Sequence, residues 1–181
     1  MSFAKQLLLT DINYSAWSNH CLLEACSTYP AEELVRDLRL PHTSILSTLQ
    51  HVYDGERVWL DGVRTADLGH YLLPQDPAPE LSLDALKQNW PTLWDAYRQW
   101  IQEQSEGSLG TDILVQLPDS IPQLARWKIL RHLLDHSQFH RGQIVATIRA
   151  LGHRPPAINR MDYFLRGDSN WSASEWKDGG Q

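Results

Sequence analysis

Between Gln123 and Leu151 the apolar residues Leu130, Leu133, Leu134, Ile144, Ile148 and Leu151 return at three- and four-residue steps. That is the period of one face of an α-helix. The run ends where a helix must end: Gly152 supplies a C-terminal stop and Pro155-Pro156 blocks continuation. A long amphipathic helix is unstable alone and has to bury its stripe against others.

The rest of the chain supplies them. Residues 3–27 carry Leu7, Leu8, Ile12, Trp17, Leu22 and Leu23 at helical spacing, and Pro30 follows. The stretch from Ala31 to Leu40, before Pro41, has room for a short helical turn. A second long helix is expected from Thr43 or Ser44, either able to cap it, to Arg64, with Ile45, Leu49, Val52, Trp59, Leu60 and Val63 as its stripe. Gly69, Pro74, Pro77 and Pro79 then mark a loop. A third helix spans about Ser82 to Gln104 through Leu83, Leu86, Leu93, Trp94, Tyr97 and Ile101. Pro91 either kinks it or starts it, and the pattern does not choose. Ile113-Leu114-Val115, between Gly107, Gly110, Pro118 and Pro122, reads as a short strand or hairpin arm. A last short helix is placed at Ile158 to Leu165. The expected fold is therefore all-α, a four-helix bundle with a long crossover connection and short extra helices. One domain covers residues 1–166, and residues 167–181 form a loose polar tail.

Composition narrows the function. Hydrophobic residues are 42% of the 181, enough for a core and too many for a disordered chain. No apolar run reaches the ~18 residues of a membrane span. Leu7-Leu8-Leu9 is too short for a signal-peptide core, so a cytoplasmic location is expected. Cys21 and Cys26 form no CxxC pair. With 16 basic against 22 acidic side chains, and the basic ones scattered singly, no nucleic-acid stripe is present. The eight tryptophans read as core and surface-edge anchors.

The eight histidines are the chemical signal. His132, His136 and His140 follow one another at four-residue steps, about 40° apart around a helix. Imidazoles so placed can converge on one ion. His140 lies at the edge of the apolar stripe, His136 just outside it and His132 well outside, facing solvent or a neighbouring subunit. A buried site would use His136 and His140. A third ligand has to come from another helix. His70 and His153 fall in loops and His42 precedes its helix, which leaves His51 and His20. His51 shares a face with Gly55, Val58 and Gly62, where small side chains would let another helix approach closely. Periodicity does not choose between His51 and His20. Asp135 and Glu56 are available carboxylates, each with an ordinary explanation as a helix-surface charge, and no general base stands out.

Three motifs in order resemble the DinB-like (DinB/YfiT) family. They are Asn13-Tyr14-Ser15-Ala16-Trp17-Ser18-Asn19, Leu49-Gln50-His51-Val52 through Glu56 to Trp59-Leu60, and His136-Ser137-Gln138-Phe139-His140-Arg141-Gly142-Gln143-Ile144. Leu151-Gly152, Pro155-Pro156 and Asp162 continue the likeness, which runs from about residue 5 to 166. The resemblance implies an up-down-down-up bundle, often a homodimer, with a divalent metal on His51, His136 and His140. Nitrogen donors suit zinc and nickel, the expected metals, and also iron or copper. It implies, too, a metal-dependent enzyme like the family's thiol S-transferases or maleylpyruvate isomerases, acting on a small-molecule substrate with a low-molecular-weight thiol. A non-catalytic metal- or ligand-binding stress protein is the alternative. Under the enzymatic reading Tyr14 and Trp17 line the pocket mouth and Arg141 holds an anionic group; otherwise the first two are core and Arg141 makes a surface or dimer-interface salt bridge.

Overall fold

α1 (Phe3–Cys26) starts where the Ser2 side chain accepts from the Lys5 N–H, and it buries Ile12, Trp17, Leu22 and Leu23 while Leu7 stays exposed. The structure, a computed structural model, describes residues 1–39, 42–69, 82–117 and 119–165. Pro41, His70, the prolines at 74, 77, 79 and 118, and the C-terminal tail lie outside them. α2 (Ala31–Leu34) is one short turn. α3 (Ile45–Thr65) opens on a capping box, in which Ser44 Oγ accepts from the Ser47 N–H and Ser47 Oγ accepts from the Ser44 N–H.

α4 (Leu83–Glu103) settles the question at Pro91: the helix runs through it. Ser82 caps the helix two turns earlier by accepting from the Ala85 N–H, and the fully buried Trp90 and Trp94 fix the segment on either side. One missing rung of the ladder is tolerated where so much apolar surface is buried. α5 (Glu106–Gly110), capped by Ser105, was not expected.

The next helix begins later than its apolar pattern suggests. Gln123–Ala125 is a strand, β2, paired antiparallel with β1 (Asp112–Leu114) in the register Ile113 opposite Leu124. The Arg126 N–H donates to the Thr111 carbonyl, so the hairpin takes the donors that would open the helix. α6 is therefore Arg126–Ala150 and not Gln123–Leu151. Gly152, at φ +88°, makes the predicted left-handed stop. α7 (Arg160–Leu165) starts at its own cap, Asn159, whose side chain accepts from the Asp162 N–H.

Four long helices form the bundle, and side-chain bonds fix their directions. Lys5 at the start of α1 donates to the Gln102 carbonyl near the end of α4, and Lys87 near the start of α4 pairs with Glu24, so these two are antiparallel. Arg126 at the start of α6 reaches the Val63 carbonyl near the end of α3, again antiparallel. Tyr53 meets Trp90 and Arg64 meets the Ala96 carbonyl, so α3 and α4 run parallel. Asp11 pairs with Arg131 and Asn19 with Arg141, so α1 and α6 run parallel as well. The order is up-down-down-up, and the chain passes from Thr65 to Leu83 between the parallel pair. α1 and α3 occupy opposite corners, each packed on α4 and α6.

The core has two parts. One gathers Trp17, Leu22, Leu49, Val52, Trp90, Trp94, Ile144 and Ile148; the other gathers Ile12, Trp59, Leu60, Tyr97, Ile101, Leu130 and Leu133. Along α3 and α6 a buried polar layer of Glu56, Ser137, His140 and Arg141 separates them, with Ser15, Ser18 and Asn19 of α1 beside it.

Candidate metal centre

α3 and α6 come close at Gly55: a Cβ there would stand 3.5 Å from His136 Cε1 and 3.4 Å from the Trp59 ring. The small-residue face noted in the sequence is thus a close approach at this one position. At Gly62 the space is taken by Leu68 of the crossover, not by a helix. One turn from Gly55, His51 Nε2 lies 3.0 Å from His136 Nε2, and His140 Nε2 lies 3.1 Å from the same atom. Ligand nitrogens ~2.0–2.1 Å from a shared ion are about 2.9–3.4 Å apart at bond angles near 90–109°. Both separations lie in that range.

The protonation pattern also fits a cation. His140 Nδ1–H donates to Gln143 Oε1 at 2.8 Å, which leaves a lone pair on His140 Nε2. That lone pair and His51 Nε2 both face His136 Nε2. A single proton there serves one of the two contacts, and the other sets lone pair against lone pair. A cation there would take the lone pairs that one proton leaves opposed. Among the described residues His136 Nδ1 is buried without a hydrogen-bond partner, and its ring is held by packing, with the Trp59 ring edge-on at 4.6 Å.

Burial, and then repulsion from the neighbouring imidazoles, pushes His51 down to about 4 and His136 down to about 3. Both rings are neutral near pH 7, the state a ligand needs. Both folded values lie below the unfolded value, near 6.5. Above that pH neither state takes up protons, and below it only the unfolded chain does. Metal-free protein is therefore expected to lose about 2 kcal/mol of stability between about pH 7 and pH 5, after discounting for half-burial. Urea unfolding at the two pH values checks this, and His51→Ala with His136→Ala should flatten the dependence.

A fourth imidazole joins the cluster. His42, set aside in the sequence because it precedes α3, stacks on His51 with ring centres 3.8 Å apart and meets His140 edge-on at 5.1 Å. Among the described residues, the group whose ligand atoms all lie within 4.8 Å of one another is His42, His51 and His140, and His136 is outside it. The available signal was the Ser44 cap, which puts His42 two residues before the cap of α3. His132 is exposed and lies edge-on to Trp59 at 5.0 Å. His20 is half-buried on α1, with burial, Glu24 and Lys87 acting on its ring, and His153 pairs with Glu33.

Two charged residues differ from their sequence reading. Glu56 is no surface carboxylate but is 2% exposed. Its Oε1 accepts from Asn19 Nδ2 at 3.1 Å and Ser137 Oγ at 2.9 Å, and its Oε2 accepts from Trp90 Nε1 at 2.6 Å. The Tyr97 hydroxyl donates to its backbone carbonyl. Arg141, buried as well, donates to Ser15 Oγ and Asn19 Oδ1 and lies over the Tyr14 ring, so it makes no surface salt bridge. Burial raises the Glu56 carboxyl and lowers the Arg141 guanidinium, while the charge of each opposes the other's shift. Tyr14 and Trp17 are core residues, at 5% and 2% exposure. Tyr14 and Arg141 also border a groove of about 490 Å³ with Gln138, Arg149 and Ile158. Those α6 residues lie roughly opposite His136 and His140 around the helix, so the groove is not the mouth of the histidine site.

The chain is thus an up-down-down-up bundle whose α3 and α6 bring imidazoles face to face. The DinB family model matches residues 1–170, and the chain belongs to the DinB family. It is 25% identical to protein DinB of Bacillus subtilis (strain 168) over 147 residues, covering 77% of this chain and 83% of that protein. The crystal structure of a DinB-like protein from Bacillus subtilis superimposes with a TM-score of 0.59 at 13% identity, over 87% of this chain and 99% of that one, a likeness of fold. No described helix is long and apolar enough to cross a membrane.

Proposed function

We propose that His51, His136 and His140 hold one divalent metal ion, zinc or nickel, and that the protein uses it to transfer a low-molecular-weight thiol to a small electrophile. The observation that carries this reading is that His51 Nε2 and His140 Nε2 each lie against His136 Nε2, at 3.0 and 3.1 Å. Three neutral nitrogens leave an ion with open positions. When bound, the ion supplies the lowered thiol pKa that makes a thiolate nucleophile near neutral pH. The protein's part is to hold the rings. Gln143 fixes the His140 tautomer, Trp59 sets the His136 plane, and the close approach at Gly55 joins the two helices.

One feature favours the second reading, a metal-binding stress protein without turnover. The buried carboxylate of α3, Glu56, has both oxygens bonded to donors and is not placed to act as a base. Elemental mass spectrometry on tag-free protein should find about one ion per chain, lost in His51→Ala and His136→Ala. Thiol consumption with model electrophiles, falling at least tenfold (about 1.4 kcal/mol) in His51→Ala, would support the transferase. A loaded protein that consumes no thiol would leave the binding protein. No ion in the wild type after incubation with zinc or nickel defeats both.

A further inference from the structure

We propose that the groove beside Tyr14 and Arg141 is a second binding site, for a small organic anion with an apolar body. It lies on the face of α6 away from the imidazole cluster and needs no metal.

The groove has fixed walls. α6 forms its floor through Gln138, Gly142, Val145 and Arg149. α1 supplies Tyr14, and the segment beyond the Gly152 stop supplies Pro156, Ile158 and Asn159. These two walls are tied together, because the Tyr14 hydroxyl donates to the Ile158 carbonyl at 2.9 Å. Arg160, paired with Asp11, lies over the Tyr14 ring at 4.4 Å and holds it from another side. At about 490 Å³ the groove has the size of a small-molecule site and is formed before anything binds.

Its charge selects the ligand. The chain carries a net charge of -6, yet the described residues that line the groove include two arginines and no carboxylate. The two arginines differ in role. Arg141 is buried, and its Nη1 donates to Ser15 Oγ at 2.8 Å and Asn19 Oδ1 at 3.1 Å, so its charge is fixed in the wall. Glu56 offsets part of that charge. Arg149 is exposed, and among the described residues no hydrogen bond or ion pair occupies its guanidinium. It is the group able to take the ligand's anionic end, two oxygens at once in the fork of the guanidinium. Val145, Pro156 and Ile158 offer an apolar surface to the body.

Gly142 points to an occupant from outside the chain. Glycine inside a helix is destabilising relative to alanine and needs a reason. At Gly55 the reason is crowding by Trp59 and His136. At Gly142 a Cβ would meet nothing within 4 Å beyond its own helix and chain neighbours. The space over it is the groove, so the missing side chain leaves room for the body of a ligand.

The fluorescent anion 8-anilinonaphthalene-1-sulfonate has both the charge and the apolar body, and serves as the probe. Tag-free full-length wild type, Gly142→Leu, Arg149→Glu and Arg149→Lys would be titrated with it and run on size exclusion. The expected result is about one dye per chain in the wild type. Octanoate should displace it about tenfold better than octanamide, its neutral counterpart of equal length. Gly142→Leu fills the groove and should abolish binding. It should keep or raise the thermal midpoint, since leucine favours a helix more than glycine does. Arg149→Glu should weaken binding at least tenfold, and Arg149→Lys should restore part of it. No dye bound by the wild type, or equal binding by wild type and Gly142→Leu, overturns the site. Octanamide equal to octanoate, with Arg149→Glu unchanged, overturns the preference for an anion. A wild-type dimer that Gly142→Leu splits gives the groove to a second copy of the chain and overturns the small ligand.

Discussion

Replacing Glu56 by alanine is expected to cost about 3–5 kcal/mol of folding stability, the range for removing one member of a buried charged network. The change strips the partner from Trp90 Nε1, Ser137 Oγ and Asn19 Nδ2 together. It also leaves the buried Arg141 cation without the negative charge that offsets it. Each orphaned donor costs about 1–3 kcal/mol, and the cavity adds to that. Glu56→Gln keeps the shape and one acceptor, so it should cost less, about 1–3 kcal/mol. Urea denaturation on the metal-free proteins measures both. Equal stability of Glu56→Ala and wild type would show that the network contributes nothing net.

Chelation is expected to have the second large effect. An ion at a thousandfold excess over its dissociation constant stabilises the folded state by about 4 kcal/mol. Loaded wild type treated with a strong chelator should lose an amount of that order, seen as a lower thermal midpoint. Readdition of zinc or nickel should restore it. His136→Ala should begin near the chelated midpoint and respond to neither treatment. A wild type whose midpoint ignores both chelator and metal argues against a bound ion, whatever the rings look like. The two experiments are independent, since the first is read on stripped protein and the second as a difference between loaded and stripped.

Much of the bundle was legible because helical period is a local signal. α1, α3 and α4 end within a few residues of their apolar patterns, and Ser44 capped α3 as its residue type suggested. The start of α6 was not legible: Leu124 and Ala125 suit a helix, and only pairing with β1, set by tertiary structure, makes them a strand. The convergence of His51 with His136 and His140 follows from helix packing that no period encodes, which is why spacing alone left His20 open. His42 was passed over because loop residues carry no periodicity, although two residues separate it from the helix it serves. Glu56 and Arg141 illustrate the same limit. Their charge suggests surface, and only partners from α1, α4 and α6 allow them inside.

The corner arrangement of α1 and α3 has a consequence for how the protein is made. The first two long helices to leave the ribosome meet through the buried Asn19–Glu56 hydrogen bond, while each packs chiefly on α4 and α6. The His51–His136 contact spans 85 residues of chain. A nascent polypeptide stopped before α6 can close neither the parallel α1–α6 pair nor the histidine cluster. Folding that depends on such distant contacts pays the loop-closure entropy before the contacts repay it. Synthesis and assembly are thereby coupled late: the imidazole cluster is complete only after His140 has emerged.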